Sequence, residues 1–495
     1  MTRVPRLHAL KDVAAGVQLP GFAPQTHGAG IVHLGIGAFH RAHQAVYTDD
    51  ALADGGGDWR IIGVSLRGTD VADALNAQNG LYTLLERSEA GTHARIIASV
   101  ARVIAATRDR AGVMKALTDP ATRIVSLTVT EKAYGIQRDT GRVDLAHPAI
   151  SHDLADPQNP IGVIGFLCEG LRLRRAEGLP PFTVLCCDNL PENGKMVRAC
   201  VVDFAKRVDT DLGDWIASQV AFPSTMVDRI TPASTEKTLL DVARMVGAED
   251  QAAIETEPFI QWVIEDHFPQ GRPAWEAGGA IFVDDVAPYE QMKLSMLNGA
   301  HSMIAYAGFL AGCTYVRDAM GNRGLSQLVA RHLSAAAATL EPLSGIDLGA
   351  YGQALEARFC NPEIAHETYQ IAMDGTEKLP QRLLEPALKA LHNGQDLRPF
   401  AFAVAAWMRY CLGKREDGTG YALRDPREAR IAAALAEATT DAGSISDALH
   451  GLLDVFPAEL RDHAPWREMV EAILSVILEG GMQSAIDLEA GQFQR

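Results

Sequence analysis

IVHLGIGAFHRAHQAVY, residues 31–47, begins with four residues of strand character and continues through two closely spaced glycines into a helical segment. A strand that ends in G-x-G before a helix suits a pyrophosphate, because the glycines allow a tight turn and the helix N-terminus presents unpaired N–H groups. His40 replaces the third glycine of the usual G-x-G-x-x-G pattern. Since that glycine mainly allows close helix–strand packing, the anion site remains. By itself the motif fits a dinucleotide turn and an ordinary tight βα turn equally well.

A second strand-like segment, Trp59–Leu66, ends roughly 30 residues after the glycines, where a dinucleotide fold places the group that reads the adenosine ribose. Asp70 suits the ribose hydroxyls of NAD, whereas Arg67 in the same turn would favour the phosphate of NADP. We favour NAD over NADP. Asp70 also fits the cap of the following helix, a role compatible with the first.

The first 285 residues alternate apolar, Val- and Ile-rich runs with helical patterns. This alternation predicts an α/β fold for residues 1–285, with a Rossmann-type, largely parallel sheet covered by helices on both faces. The predicted strands are Ile31–Leu34, Trp59–Leu66, Arg123–Thr130, Phe182–Cys187, Phe259–Ile264 and Ile281–Val283, and the clearest helices are Arg110–Thr118, Ile161–Ala176 and Lys195–Val208.

Residues 286–495 have a different character, beginning near DDVAPYEQ. Ala, Leu and Met recur at helical spacing without strand alternation, which predicts a mainly α-helical C-terminal domain. The predicted helical segments are 290–312, 324–340, 382–392, 398–412, 428–453 and 466–480.

The composition limits the partners. The chain has 495 residues and a net charge of −17, from 45 basic and 62 acidic residues, which disfavours nucleic acid. Seven scattered cysteines without C-x-x-C spacing indicate neither a disulfide framework nor a zinc knuckle. No apolar run reaches the ~18 residues of a membrane span, and the N-terminus lacks a secretory apolar core, so we expect a cytoplasmic protein without a membrane partner. His40 and His43 lack further compact ligands, and we expect no metal.

The segment YEQMKLSMLNGAHSMIAYAGFLAG, residues 289–312, places three polar groups in an apolar helix that we expect to be buried between the domains. At ~100° per residue, His301 falls ~80° and Asn298 ~140° from Lys293. A buried lysine favours its neutral amine, as a general base requires, and an asparagine amide can donate to an oxyanion. The same spacing also fits a snorkelling lysine, a helix-satisfied asparagine and a packed histidine.

KLSMLNGAH resembles the K-x4-N-x2-H signature of the polyol-specific long-chain dehydrogenases, the family of mannitol 2-dehydrogenase and fructuronate reductase. The segments HLGIGAFHRAHQ, RIVSLTVTEKAYG, FTVLCCDNLPENG, FPSTMVDRITP and EDHFPQGRPAWE resemble that family too, so the resemblance extends from about residue 30 to 430. The family's turn is G-x-G-x-F-H-R, which makes His40 part of a regular variant.

This resemblance implies metal-independent hydride transfer between nicotinamide and a secondary alcohol. Lys293 would be the general base in oxidation and the acid in reduction. Asn298 and Asn189 would form the oxyanion hole, and His301 would hold the substrate.

The resemblance implies further roles. Glu131 and Glu290 would flank a proton path from Lys293 to water, although Glu290 fits a surface helix position equally well. Asp228 belongs to a motif near the active site, where substrate contact and pairing with Arg229 both remain open. The residues assigned to cofactor binding are Gly35, Gly37, Phe39, Arg67, Asp70 and Thr130.

TYQIAMDGTEKLPQRLLEP, residues 368–386, resembles fructuronate reductases. Mannitol dehydrogenases tend to carry arginine at Gln370 and PKF in place of PQR. An acid substrate needs a cation at its far end, for which Lys378 and Arg382 are candidates, although both also fit a solvated loop. GVSLRGTD, in contrast, resembles mannitol dehydrogenases.

We therefore predict NADH-dependent reduction of D-fructuronate to D-mannonate. The alternative substrates are polyols, namely mannitol or D-arabinitol. A different class of protein also fits the fold, a nucleotide-binding regulator without chemistry, but it would have no use for a buried base beside an oxyanion hole.

Overall fold

The computed structural model describes residues 5–137 and 140–491, and it divides into an N-terminal unit, Met1–Ala287, and a C-terminal unit, Pro288–Arg495. The strands of the described residues all belong to the N-terminal unit. They are β1 (Ala29–Leu34), β2 (Arg60–Ser65), β3 (Tyr82–Ser88), β4 (Gly91–Ile97), β5 (Val100–Ala105), β6 (Ile124–Leu127), β7 (Thr183–Cys186), β8 (Thr225–Asp228), β9 (Ile254–Thr256), β10 (Gln261–Glu265) and β11 (Ile281–Val283).

The main sheet has the strand order β5-β2-β1-β6-β7, and every pair in it is parallel. Side chains alternate between its faces: Val32 and Leu34 enter one apolar core, while Ile31 and Ile61 enter another. β1 lies in the middle with β2 on one side and β6 on the other. Since chain order reverses there, the carboxyl ends of β1 and β6 form the switch point at which such sheets bind ligands.

The two smaller sheets of the N-terminal unit have the orders β4-β3-β9 and β11-β10-β8. β3 and β4 form an antiparallel hairpin that the sequence analysis missed. The facing segments Glu86–Ser88 and Gly91–His93 are polar and partly exposed, so they lack the apolar alternation by which strands are recognised.

Helices of the N-terminal unit cover the sheet. They are α1 (Ala38–Ala42), α2 (Gln44–Gly55), α3 (Asp70–Asn76), α4 (Arg110–Thr118), α5 (Pro148–Ala155), α6 (Val163–Ala176), α7 (Asn193–Val208), α8 (Thr210–Gln219) and α9 (Glu236–Val246).

The described part of the C-terminal unit is mainly helical. Its helices are α10 (Ala287–Met292), α11 (Gly299–Leu310), α12 (Val316–Gly321), α13 (Arg323–Ala338), α14 (Leu348–Phe359), α15 (Thr368–Ala372), α16 (Gly375–Leu379), α17 (Glu385–His392), α18 (Arg398–Tyr410), α19 (Glu428–Ala436), α20 (Ala442–His450), α21 (Ala458–Arg461) and α22 (Ala464–Gly491). The predicted fold class, a parallel Rossmann-type domain followed by a mainly helical domain, is confirmed.

One helix of the described chain, α22, is long and apolar enough to cross a membrane by length and composition alone. Gly481, at φ +82°, interrupts it, and the Glu416 carboxylate accepts the N–H of Met482 at 2.6 Å beyond the break. The helix packs against α13, α18 and α20. It therefore consists of two segments that pack against other helices of the C-terminal unit.

Candidate active site

The glycine turn after β1 has the backbone that its sequence predicts. Gly35 adopts φ +96°, and a side chain there would collide with the carbonyl of Thr128, so only glycine fits. Gly37 is exposed and extended at the N-cap of α1, and a methyl group there would meet nothing closer than the Gly35 oxygen at 3.8 Å. The turn therefore leaves open space at the carboxyl end of the central strand, which fits a pyrophosphate.

A buried histidine holds this turn. The Thr128 hydroxyl donates to the carbonyl of Gly35 at 2.9 Å, so its oxygen accepts the Nε2–H of His33 at 2.8 Å. His33 Nδ1 then accepts from Ser126 Oγ at 2.8 Å. Burial lowers the pKa of His33 to about 3, so the ring stays neutral and keeps this tautomer.

His40 stands at the position of the third glycine, and its ring stacks on the ring of His33 with the two centroids 3.5 Å apart. Its pKa lies well below the usual value because the ring is fully buried. α1 ends before His43, whose Nε2 lies 2.9 Å from the carbonyl of Gln261 and whose ring stacks on Phe39. The two histidines thus have different partners, and within residues 5–137 and 140–491 no three His, Cys, Asp or Glu side chains are grouped as metal ligands.

The ribose-reading candidates are both exposed, in the turn between β2 and α3. The Ser65 hydroxyl donates to the carbonyl of Gly68 at 2.7 Å and shapes the turn around Arg67. Asp70 is the first residue of α3, and the N-cap position belongs to Thr69, so Asp70 is not the capping residue considered from the sequence. Both side chains remain available to a ribose or its phosphate.

The turn that follows β6 departs from the predicted strand. β6 ends at Leu127, three residues early, because the N–H groups of Val129 and Thr130 donate to the carboxylate of Asp188, at 2.9 and 3.1 Å, instead of to a neighbouring strand. Thr130 adopts φ +74°, which is rare for a β-branched residue and marks strain at a candidate site. Glu131 then begins a short 3-10 turn and is partly buried.

Asp188 is itself held on both sides. Its carboxylate accepts the hydroxyl of Tyr134 at 2.7 Å, and its carbonyl accepts the side-chain amide of Asn193 at 3.0 Å. Asn193 also exchanges hydrogen bonds with the backbone of Thr225 in β8. Burial raises the pKa of Asp188. Asn189, the predicted oxyanion-hole residue, is exposed and directly follows this anchored residue.

Asp228 ends β8 and is buried at 6% exposure. Its neighbour Arg229 forms an ion pair with Glu86 and donates to the carbonyls of Ala42 and Glu257. Arg229 therefore has a carboxylate partner in Glu86, and both substrate contact and pairing with Arg229 stay open for Asp228.

The K-x4-N-x2-H segment is not a continuous α-helix. Lys293–Asn298 form a π turn between α10 and α11, both ends of which are partly buried. In a π turn the hydrogen bond runs from residue i to i+5, so Asn298 returns close to the face of Lys293 instead of lying ~140° away. Such turns are frequent at functional sites. Glu290 lies on α10 and is partly buried.

His301 lies in the first turn of α11, 8% exposed. Its ring centroid is 4.7 Å from Phe359 and 5.3 Å from His366. Its pKa is well below the usual value because the ring is buried, and because His366, Arg358 and Arg382 add positive potential. Neutral His301 can orient a hydroxyl by donating or accepting.

A second π turn, Pro380–Leu384, packs against the first and presents Arg382. The Arg382 carbonyl closely approaches Gly299, and the guanidinium donates to Ser302 Oγ at a long 3.4 Å. Burial lowers the pKa of Arg382. In the described part of the chain this guanidinium has no carboxylate partner. It therefore supplies a positive charge next to Asn298 and His301.

Lys378 differs from Arg382. Its Nζ donates to the carbonyls of Met373 and Ile371, at 2.5 and 3.2 Å, and lies 3.8 Å from the carboxylate of Asp374. These contacts engage the ammonium within its own turn. Of the two predicted carboxylate-binding cations, Lys378 is therefore the one with a salt-bridge partner among the described residues.

Sequence reasoning overlooked several residues of these sites. Asp188 stood beside the recognised Asn189, and its conformational role had no signal in a single sequence. Ser302 directly follows His301, and Tyr306 lies one turn further along α11, with a fully buried hydroxyl that has no hydrogen-bond partner in the described chain. Their i, i+4 spacing was the available signal.

Two family descriptions match the chain. The mannitol dehydrogenase Rossmann domain matches residues 29–277, and the mannitol dehydrogenase C-terminal domain matches residues 285–477. The two matches together span most of both units.

Individual relatives match over similar lengths. An uncharacterised oxidoreductase of Escherichia coli strain K12, YeiQ, is 42% identical over 95% of this chain and 96% of its own. D-mannonate oxidoreductase of the same strain is 43% identical over 92% of this chain and 94% of its own. A solved structure of Pseudomonas fluorescens mannitol 2-dehydrogenase, in ternary complex with NAD and D-mannitol, is 36% identical with a TM-score of 0.81, covering 98% of this chain and 100% of that chain.

Proposed function

Because the chain belongs to the mannitol dehydrogenase family of oxidoreductases acting on CH–OH groups, we propose that it reduces D-fructuronate to D-mannonate with NADH. Residues 1–285 bind the nucleotide and contribute Asn189 and Asp228, and residues 286–495 supply the base and the other substrate contacts. The resemblance to D-mannonate oxidoreductase supports the acid substrate. The observation that carries this choice is Arg382, a partly buried guanidinium without a carboxylate partner among the described residues.

The turn after β1 fits NAD. Open space at Gly37, the left-handed Gly35 and the Thr128 hydroxyl that binds the Gly35 carbonyl suit a pyrophosphate at the sheet's switch point. Exposed Asp70 suits ribose hydroxyls and favours NAD over NADP, while Phe39 and Thr130 border the same edge of the sheet. When bound, the reduced nicotinamide supplies the hydride.

The remaining chemistry belongs to side chains of the chain. In reduction, Lys293 Nζ gives a proton to the ketone oxygen as its carbon accepts the hydride, and in oxidation Lys293 removes the proton of the alcohol. Asn298, beside Lys293 because of the π turn, donates its amide to that oxygen, and Asn189 is assigned the same role. Glu131 and Glu290 relay a proton between water and Lys293, towards Lys293 after reduction and away from it after oxidation.

The substrate is recognised along its length. Neutral His301 holds a hydroxyl, and Asp228 accepts from another. The carboxylate at the far end of D-fructuronate binds Arg382, whose planar guanidinium offers paired donors. An anion there also relieves the cost of a buried cation, whereas a neutral polyol would leave that charge unbalanced.

A polyol substrate is the second candidate, since the mannitol 2-dehydrogenase with the solved structure binds D-mannitol. Mannitol is two-fold symmetric, so C5 of D-mannonate has the same local configuration as the mannitol carbon that is oxidised. The reacting residues therefore serve both substrates, and only the far end distinguishes them.

Initial rates separate the candidates. Rates with NADH on D-fructuronate and D-fructose, and with NAD on D-mannonate, mannitol and D-arabinitol, give kcat/KM for each substrate. We expect the highest value for D-fructuronate. A higher kcat/KM for D-fructose would overturn the assignment in favour of the polyol.

A further inference from the structure

The loop after β6 holds a strained backbone at a single point. Thr130 has φ +74° and ψ 149°, a combination that β-branched residues rarely adopt. Its side chain is exposed, so packing does not enforce the conformation. Strained backbone persists only where neighbouring groups over-determine it.

The neighbouring groups here converge on the carboxylate of Asp188. Oδ1 accepts the N–H of Thr130 at 3.1 Å, and Oδ2 accepts both the N–H of Val129 at 2.9 Å and the hydroxyl of Tyr134 at 2.7 Å. Because the Tyr134 hydroxyl gives its proton to Asp188, the Cys186 thiol at 3.2 Å is the donor to the Tyr134 oxygen. Both carboxylate oxygens are thus engaged at one turn.

Hydrogen bonds also hold the backbone of Asp188. The buried amide of Asn193 binds the carbonyl of Asp188 at 3.0 Å and the carbonyl of Thr225 at 2.8 Å, and its oxygen accepts the N–H of Thr225 at 2.9 Å. The backbone of Asp188 is therefore fixed to β8 while its side chain fixes the loop after β6.

We propose that Asp188 is a positioning residue, which holds Thr130 in its left-handed conformation and so sets the course of the chain into Glu131. The proposal rests on the proposed function in giving Glu131 a part in proton transfer. Asp188 contacts no reacting atom in this account. Asp188 links two loops that carry site residues. Thr130, whose N–H it binds, directly precedes Glu131, and Asp188 itself directly precedes Asn189.

The proposal is tested by Asp188→Asn, made both in the wild-type chain and in a Thr130→Gly variant. Asparagine keeps one acceptor oxygen, so it cannot hold both Val129 and Thr130. We expect faster hydrogen exchange in residues 128–134 and a fall in kcat of about tenfold or more at saturating NADH, as displacement of a proton-transfer group implies. Because glycine adopts positive φ without strain, the same change in a Thr130→Gly background should lower kcat by less than about threefold.

The matched control is Asp153→Asn. Asp153 is fully buried and likewise accepts two successive backbone N–H groups, of Ile161 and Gly162, both at 2.8 Å. Neither of these residues has positive φ, and their loop carries no candidate site residue. We expect Asp153→Asn to lower the thermal midpoint while leaving kcat within about twofold, as for a lost structural hydrogen bond.

Equal losses of kcat from Asp188→Asn in the threonine and glycine backgrounds would overturn the proposal, since Asp188 would then act other than through Thr130. The exchange measurement needs no substrate. A wild-type protein that reduced no sugar acid or ketose would contradict the proposed function. The positioning role of Asp188 would still be tested, because unchanged exchange in residues 128–134 of Asp188→Asn would refute it and increased exchange would support it.

Discussion

The guanidinium of Arg382 lies 3.4 Å from the hydroxyl of Ser302, the residue that follows His301 on α11. A side chain from one π turn thereby reaches the helix that extends from the other. Ser302 is neutral, and among residues 5–137 and 140–491 no carboxylate forms a salt bridge with Arg382, while the more distant Asp374 adds a favourable electrostatic potential. The relationship yields a test of substrate choice.

Arg382→Gln should lower kcat/KM for D-fructuronate by about 10- to 100-fold, the effect of losing charge-assisted hydrogen bonds worth ~1.5–3 kcal/mol. The rate on D-fructose should change much less, because its far end carries no charge. Arg331→Gln is the control, since Arg331 already has a partner in Asp396 at 2.6 Å. Equal losses for both substrates would show that Arg382 does not read the carboxylate.

Lys293→Ala should lower kcat by about three orders of magnitude or more, because it removes the group that exchanges the proton with the substrate oxygen. NADH binding, followed by fluorescence titration, should persist. The control is Lys389→Ala, which changes a partly exposed lysine paired with Glu385 at 3.3 Å. Unchanged turnover in Lys293→Ala would refute the catalytic assignment, and a protein that binds the nucleotide without turnover in any form would instead be a regulator.

The two glycines of the turn after β1 should respond differently to alanine. Gly35→Ala places a side chain at φ +96° against the Thr128 carbonyl, and we expect a loss of stability of about 1–3 kcal/mol. Gly37→Ala fits the extended backbone without a clash, so the thermal midpoint should stay close to wild type while NADH binding weakens. Retained NADH affinity in Gly37→Ala would argue against a pyrophosphate at this turn.

Acid should destabilise the protein through its buried histidines. Burial lowers the pKa of His33 to about 3 and that of His332 to about 4 from the ordinary value of 6.5. Below pH 6.5 these two histidines are therefore protonated in the unfolded chain while they stay neutral in the folded chain. Each residue should lower the free energy of unfolding by ~1.4 kcal/mol per pH unit, from pH 6.5 down to its folded pKa.

Urea unfolding between pH 7 and 4.5 measures this slope, and the effect should be fully relieved above pH 7. In His33→Gln the slope should be smaller by the contribution of one histidine. A slope identical to that of the wild-type protein would mean that His33 is protonated in the folded state.

Much of the fold follows from local pattern. The βα alternation and the glycine turn predicted the parallel sheet because periodicity and glycine conformation are properties of the chain itself. The β3–β4 hairpin was not predicted because about half of its residues are polar. The early end of β6 was not predicted for another reason. The carboxylate of Asp188, about sixty residues later, accepts the N–H groups that would have continued the strand.

The candidate site was predictable in composition more than in geometry. The signature identified Lys293, Asn298 and His301, yet a regular helix gives the wrong angle between the first two. The π turn packs against Pro380–Leu384, a tertiary contact that no local spacing reveals. Lys378 and Arg382 were equivalent in sequence, and only their hydrogen bonds distinguish them.

The paired π turns also bear on how this chain diverges from its relatives. Each turn contains more residues than an α-helical turn of equal height, so loss of one residue from either would give a regular α-helix and leave the flanking helical segments in phase. The apolar face of α17 would then stay in its core, and only the side chains presented by the turn itself would change. Differences in substrate preference among relatives are therefore expected to include gain or loss of one residue within these two turns, as well as exchange of their side chains.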